Sequence, residues 1–149
     1  MKVLVVDSGL YVELALTLGR SGLFDKVGYC NPTGLADFPY PKEASIGQGF
    51  EEITVEPELW DALDPYDGFI FPDNYYGPMQ DYLRGVLGKR VWGSGRFEEL
   101  ELDRARLRAE MGRLRLPTPV HREIKGVMSL LEDHRIQPGD FIKISRYRG

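Results

Sequence analysis

The sequence predicts an α/β protein: a parallel, doubly wound sheet with helices on both faces, followed by a small α+β piece. Three observations lead there. Short, nearly continuous apolar runs alternate with segments whose apolar residues recur at helical spacing, the pattern of buried parallel strands joined by crossover helices. Each apolar run stops at a cluster of small, polar or proline residues. After Gly95 the alternation gives way to arginine-rich helical sequence and the charge changes sign. Residues 1–101 hold 17 acidic and 8 basic side chains, whereas residues 102–149 hold 6 and 11. Two units are expected, 1–95 and 96–149.

Lys2 to Val6 (KVLVV) reads as a strand buried on both faces, ending at Asp7-Ser8-Gly9. A helix is expected from about Leu10 to Arg20, with Leu10, Tyr11, Leu14, Ala15 and Leu18 on one side and Gly22 closing it. Lys26 to Cys30 (KVGYC) is the second strand and Asn31-Pro32-Thr33-Gly34 its exit. The proline- and glycine-rich stretch from Leu35 to Gly49 is mostly loop. Ile53-Thr54-Val55 reads as a short strand, and Pro57 opens a short helix through Leu63. Asp67 to Phe71 (DGFIF) is a core strand that breaks at Pro72-Asp73-Asn74. Pro78 starts a helix with Met79, Tyr82, Leu83 and Val86 in its stripe, and Lys89 to Trp92 is the next strand, closed by Gly93-Ser94-Gly95.

Beyond this point a helix is expected from Glu98 or Asp103 to Arg115, with Leu107, Met111 and Leu114 on one face. Leu116-Pro117-Thr118-Pro119 stops it, because proline cannot continue a helix. Val120 to Arg122 reads as a strand. Gly126 to His134 reads as a helix with Val127, Leu130, Leu131 and His134 aligned, Gln137 to Asp140 as a turn, and Phe141 to Ile144 as the last strand.

The chain has 149 residues, of which 42% are hydrophobic, enough to bury a core without disulfides. Its single cysteine, Cys30, excludes an internal disulfide and suggests a reducing compartment. The apolar run near the start is too short for a signal peptide or a membrane span, so a cytoplasmic protein with no membrane partner is expected.

In sheets of this kind, ligands bind beyond the carboxyl ends of the strands. Those ends here are Asp7-Ser8-Gly9, Asn31-Pro32, Asp73-Asn74 and Gly93-Ser94, all small, polar or helix-capping. Asp7 would repel a phosphate and suits a sugar hydroxyl, an amine or a metal better. Of a glycine-rich dinucleotide fingerprint only Gly9 is present. At the other end of the chain, strand alternation would turn Lys143 away from Ile142 and Ile144, and its ammonium could neutralise phosphate oxygens. Ser145-Arg146-Tyr147-Arg148-Gly149 follows as a basic, glycine-ended loop suited to a phosphate. Cys30 has no histidine near it in sequence and reads as a small hydrophobe. His121 and His134 have no metal-ligand spacing, and His134 is expected to pack on its helix stripe. The arginines from Arg104 to Arg115 read as a solvated face with too few aromatics for base stacking, so a nucleic-acid partner is not expected.

The second half, from VWGSGRFEELELDRARLRAEMGRLRLPTPV to GDFIKISRYRG, resembles the beginning of an ATP-grasp fold. There a segment like "DK…GIPTP" precedes a strand reading "vvK" whose lysine touches nucleotide phosphates. Asp103-Arg104 stands where the acid-lysine pair would be, Leu116-Pro117-Thr118-Pro119 matches the proline-rich stop, and Lys143 takes the place of the nucleotide lysine. The first half is similar to the Rossmann-like pre-ATP-grasp domain of the phosphoribosylamine–glycine ligase family. That family's start reads like KVLVIGGGGREHAL, against KVLVVDSGLYVELAL here, and its strand before Gly-Pro-Glu compares with FIFPDNYYGP. Three of the four glycines are replaced, by Asp7, Ser8 and Leu10, and the Arg-Glu pair by Tyr11-Val12, which implies a different carboxylate or amine substrate.

The resemblance implies the N-terminal portion of an ATP-dependent carboxylate–amine ligase that uses ATP and Mg²⁺ in the intact enzyme. Lys143, Ser145 and Arg146 would meet the nucleotide; Asp7, Ser8, Gly9, Asp73 and Asn74 would line the acceptor side. The metal-binding acidic and Asn residues would lie in a further ATP-grasp portion, supplied in cis or in trans, so this polypeptide alone is expected to be inactive. Two rival readings stand beside it. One is a receiver-like signalling domain with Asp73 as phospho-acceptor, against which Val91-Trp92-Gly93-Ser94 lacks the expected lysine. The other is a non-catalytic interaction module using the arginine helix.

Overall fold

The computed structural model describes residues 1–32, 46–74 and 76–143. The chain divides into two compact units, Met1–Glu98 and Glu99–Gly149.

The first unit is built on β1 (Lys2–Val6), α1 (Val12–Arg20), β2 (Lys26–Cys30), β3 (Thr54–Val55), β4 (Gly68–Ile70), α2 (Gly77–Gly85) and β5 (Arg90–Trp92), followed by a 3₁₀ turn at Gly95–Phe97. The five strands form one parallel sheet in the order β3-β2-β1-β4-β5. The chain moves outward from β1 to β2 and β3, then recrosses to β4 and β5. The direction therefore reverses between β1 and β4, the topological switch point of an α/β sheet.

Alternation along β1 sends its side chains into two cores. Leu4 and Val6 pack with Phe69, Phe71, Cys30, Tyr66 and Leu83 of α2. Val3 and Val5 pack with Val27, Tyr29, Ile53 and with Ala15 and Leu16 of α1. The two helices therefore cover opposite faces. No helix among the described residues is long and apolar enough to cross a membrane.

Several expected elements take other forms. No helix forms from Pro57 to Leu63; successive turns run there instead, with Ala62 N donating to Leu59 O at 3.1 Å. Leu59, Ala62 and Tyr66 are still buried, because a series of turns can present the same apolar spacing as a helix. α1 starts at Val12 rather than Leu10, and Leu10 is exposed. In α2 the expected stripe is rotated: Leu83 is buried, Tyr82 is exposed, Val86 lies past the helix and exposed, and polar Gln80 takes an inward position. Most of the 35–49 loop, residues 35–45, lies outside the described residues.

The second unit contains α3 (Glu98–Leu102, which begins at the last residue of the first unit), α4 (Arg104–Arg113) and α5 (Val127–Leu131). Asp103 caps α4, its Oδ1 accepting from Ala105 N and Arg106 N at 3.1 Å each. Arg106 pairs with Glu99, and Arg113 with Glu110. The strand expected at Val120–Arg122 is not formed, and Phe141 to Lys143 carry no ladder; Ile144 lies outside the described residues. The helix expected to reach His134 closes at Leu131, where Asp133 draws in Arg122 and Arg135, so His134 is exposed rather than packed. No hydrophobic residue among the described positions of this unit is buried.

One polar cluster ties β2 to the segments on either side of the turn series. Lys26 Nζ and the Tyr66 hydroxyl both donate to Glu56 Oε1, at 2.9 and 2.5 Å, and Lys26 lies 4.9 Å from the Tyr66 ring centroid. The Tyr66 hydroxyl sits over Gly28, where a Cβ would stand 2.3 Å from it and 2.7 Å from Leu4 Cδ1. Gly28→Ala should therefore lower unfolding stability by about 1–3 kcal/mol in urea denaturation. For Glu56, burial acts to raise the carboxyl pKa, but the bonds from Tyr66 and Lys26 outweigh it and hold it below its ordinary value of 4.5. A carboxyl depressed on folding stabilises above its unfolded pKa and loses that contribution as pH falls through its folded one. Thermal melts between pH 7 and pH 3 should thus show a loss of stability below about pH 4.5 that is smaller in Glu56→Gln.

Candidate functional site at the carboxyl ends of the strands

β1 ends in Val6 and the chain continues into Asp7, which is wholly buried. A buried carboxylate needs donors, and Asp7 has three. Its Oδ1 accepts from Gly9 N at 3.0 Å and from the Tyr29 hydroxyl at 2.5 Å; its Oδ2 accepts from Tyr11 N at 2.5 Å. Gly9 takes a φ of 102°, which lets the loop fold back over the carboxylate. Burial pushes the Tyr29 phenol well above its usual range, and the bond to Asp7 pushes it further, so it remains a hydrogen donor. Asp7 thus acts first as an internal anchor, holding the end of β1, the start of α1 and β2 together.

Ser8 is 5% exposed, and its hydroxyl has no hydrogen-bond partner. Register places the loop after β4 beside this loop. Val5 pairs with Ile70, so Asp7 and Pro72 each stand two residues beyond that pair. Asp73 and Asn74 follow, half-buried, with Asn74 N donating to Asp73 Oδ1 at 2.8 Å. The fold thus brings Asp7, Ser8 and Gly9 to the switch point beside Asp73 and Asn74.

Three residues outside the sequence motifs shape the same rim. Tyr29 is the buried partner of Asp7. Glu98, 6% exposed, accepts from Gly77 N at 2.7 Å and so occupies the first turn of α2. Gln80, fully buried, accepts from Gly95 N at 2.8 Å through Oε1 and fills the space beside Gly93 and Phe71; its Nε2 has no partner. The sequence carries a weak signal for Gln80, a polar residue one position from the apolar stripe of a short helix. Tyr29 and Glu98 carry no local signal. Their partners lie 22 and 21 residues away.

The remaining expected groups are placed differently. Lys143 is exposed and belongs to the second unit. Ser145 and Arg146 lie outside the described residues. Cys30 is buried, and burial pushes its thiol up to about 12, so it is not a nucleophile at neutral pH. Among the described residues no group of three His, Cys, Asp or Glu side chains stands close enough to hold a metal ion.

Comparison with family models, with curated proteins and with solved structures finds no match. The rim itself is what carries a functional reading. It can hydrogen-bond a small polar molecule, and it contains no activated nucleophile among the described residues.

Removing the Asp7 carboxylate leaves two backbone N–H groups and a phenol without their acceptor. An unsatisfied buried donor costs about 1–3 kcal/mol. Asp7→Ala should therefore destabilise the protein by more than about 3 kcal/mol, and Tyr29→Phe by only about 1–2 kcal/mol, in equilibrium urea unfolding.

Proposed function

We propose that this chain is the N-terminal portion of an ATP-dependent carboxylate–amine ligase of the ATP-grasp type. In this reading the first unit supplies the acceptor-substrate side and the second unit begins the nucleotide lobe. The observation that carries it is the rim: strand order sets the loops after β1 and β4 side by side, both polar, at the position where α/β sheets bind small molecules. The second unit supports it in another way. A segment with no buried hydrophobic residue among its described positions fits a layer completed by further polypeptide.

In the intact enzyme a substrate carboxylate would attack the γ-phosphorus of ATP, releasing ADP and forming an acylphosphate. An amine would then attack the acyl carbon and displace inorganic phosphate. Lys143, with Ser145 and Arg146, would offset charge on the nucleotide phosphates. Magnesium would be bound by residues other than those described, which offer no ligand cluster. A receiver-like reading finds less support: both Asp7 oxygens are already bonded to internal donors, and the rim lacks a lysine at the end of β5.

The nucleotide side separates a ligase from other proteins that bind at such a rim. Titration of ¹⁵N-labelled chain with Mg-ATP should shift the amide signals of Lys143, Ser145 and Arg146. Lys143→Ala should weaken binding about tenfold, the equivalent of one charge-assisted hydrogen bond. Absence of any shift at millimolar Mg-ATP would remove the ligase reading.

A further inference from the structure

The helices cover the sheet unevenly. Val3 pairs with Gly68 and Gly68 with Arg90, while Val5 pairs with Ile70 and Ile70 with Trp92. Alternation turns all six toward one face. It is the face of α1, because Val5 and Ile70 belong to the core that holds Ala15 and Leu16, whereas Phe69 and Val91 belong to the core with Leu83 of α2. α1 covers β1 and β2 there, but no helix of the first unit packs over β5 on that side. Trp92 is accordingly 64% exposed.

The uncovered area is concave. A hollow of about 490 Å³ lies beside α1, lined by Leu14 and Leu18 of that helix, by Met1 and Phe24, and by Ile70 and Trp92 of the sheet. Small-molecule pockets measure about 300–1,000 Å³. Gly68 of the middle strand lies in its floor. The packing does not call for glycine there. Its backbone is not left-handed, and a Cβ would stand 3.6 Å from Val3 Cγ1 and 3.7 Å from the Arg90 carbonyl oxygen, which are ordinary contacts. What the glycine supplies is depth, a stretch of bare backbone that a bound group can approach. Arg90 is the charged residue of the lining. Its Nη1 stands 3.3 Å from Met1 Sδ, at the wall of the hollow, and among the described residues it pairs with no carboxylate. The acids at this end of the sheet are engaged elsewhere: Asp25 with the amino group of Met1, and Asp67 through Oδ2 with Lys2 N at 2.7 Å.

We propose that this hollow binds a small hydrophobic carboxylic acid, its apolar body on Gly68 between α1 and Trp92 and its carboxylate on the Arg90 guanidinium. The apolar walls favour burial of the body. A guanidinium beside them matches a carboxylate with two parallel N–H donors. One cation among apolar side chains balances one negative charge and leaves a phosphate dianion short of a partner. The site lies on a face of the sheet, not at the carboxyl-end rim, and it does not rest on the ligase reading.

The test titrates the full ¹⁵N-labelled chain with 1-naphthylacetate, with its neutral isostere 1-naphthylacetamide and with 1-naphthyl phosphate. The acid should shift the indole N–H signal of Trp92, leave that of Trp60 in place, and bind about tenfold more tightly than the amide. Arg90→Gln should abolish the preference for the acid while leaving the affinity for the amide unchanged. Gly68→Ala, whose added methyl makes only ordinary contacts, should fold and should weaken both ligands. No shift at Trp92, equal binding of acid and amide, or tighter binding of the phosphate would overturn the proposal. So would a dimer in sedimentation that Trp92→Ala dissociates, because a second copy would then cover the hollow. The response of Lys143 to Mg-ATP is read separately, so either result leaves the ligase reading to its own test.

Discussion

The carboxylate of Asp7 is the constraint on which the rest of the first unit turns. It lies at the end of the central strand, out of contact with water, and it is tied to the loop that starts α1 and to Tyr29 of β2. Hydrogen bonds to a charged group contribute about 1.5–3 kcal/mol each, and burying an ion costs several kcal/mol, so the net gain in stability is modest. What the arrangement supplies is geometry. The end of β1, the turn at Gly9 and the phenol of Tyr29 are fixed relative to one another by one group.

That geometry bears directly on function. A dinucleotide-binding loop leaves helix N–H groups free for phosphate and uses glycines so that the backbone can approach it. In this protein Asp7 of the loop instead binds the N–H groups of Gly9 and Tyr11, just ahead of the helix. Glu98 does the same at α2, from the far side of β5 in sequence. Acids of the chain thus bond N–H groups just ahead of α1 and at the first residue of α2, and among the described residues the buried polar side-chain atoms left without partners are a hydroxyl and an amide nitrogen. The site lies where α/β sheets bind small molecules, and its loop carries one glycine where a dinucleotide loop carries several.

Much of the architecture is legible in the sequence. The runs KVLVV and KVGYC are nearly continuous because their strands are covered on both faces, and the loop after the first is polar because Asp7 bonds internal donors there. The placement of Ser8 beside Asn74 follows from strand order once parallel connections are assumed. Other features are not legible. Leu59, Ala62 and Tyr66 have helical spacing, yet they form turns, since spacing records burial and not hydrogen bonding. The alternation at Phe141 to Lys143 suggests a strand, but a strand needs a neighbour, and none pairs with it among the described residues. The pairing of Asp7 with Tyr29 and of Gly77 with Glu98 joins residues distant in sequence, and no local pattern announces such pairs. Gln80 escapes sequence reading because a polar residue on a short amphipathic helix is usually on its outer face.

The two units differ in kind. The first has two packed cores on either side of a sheet; the second has capped and salt-bridged helices without buried apolar side chains among the described residues. The candidate site belongs to the first, and its shape depends on the anchored loop after β1. Hydrogen exchange at the amides of Gly9 and Tyr11 tests that anchor most directly. Bonded to a buried carboxylate, both should exchange as slowly as the ladder amides of β1. Exchange at the rate of an open loop would mean that Asp7 does not hold these groups and that the loop after β1 is not anchored.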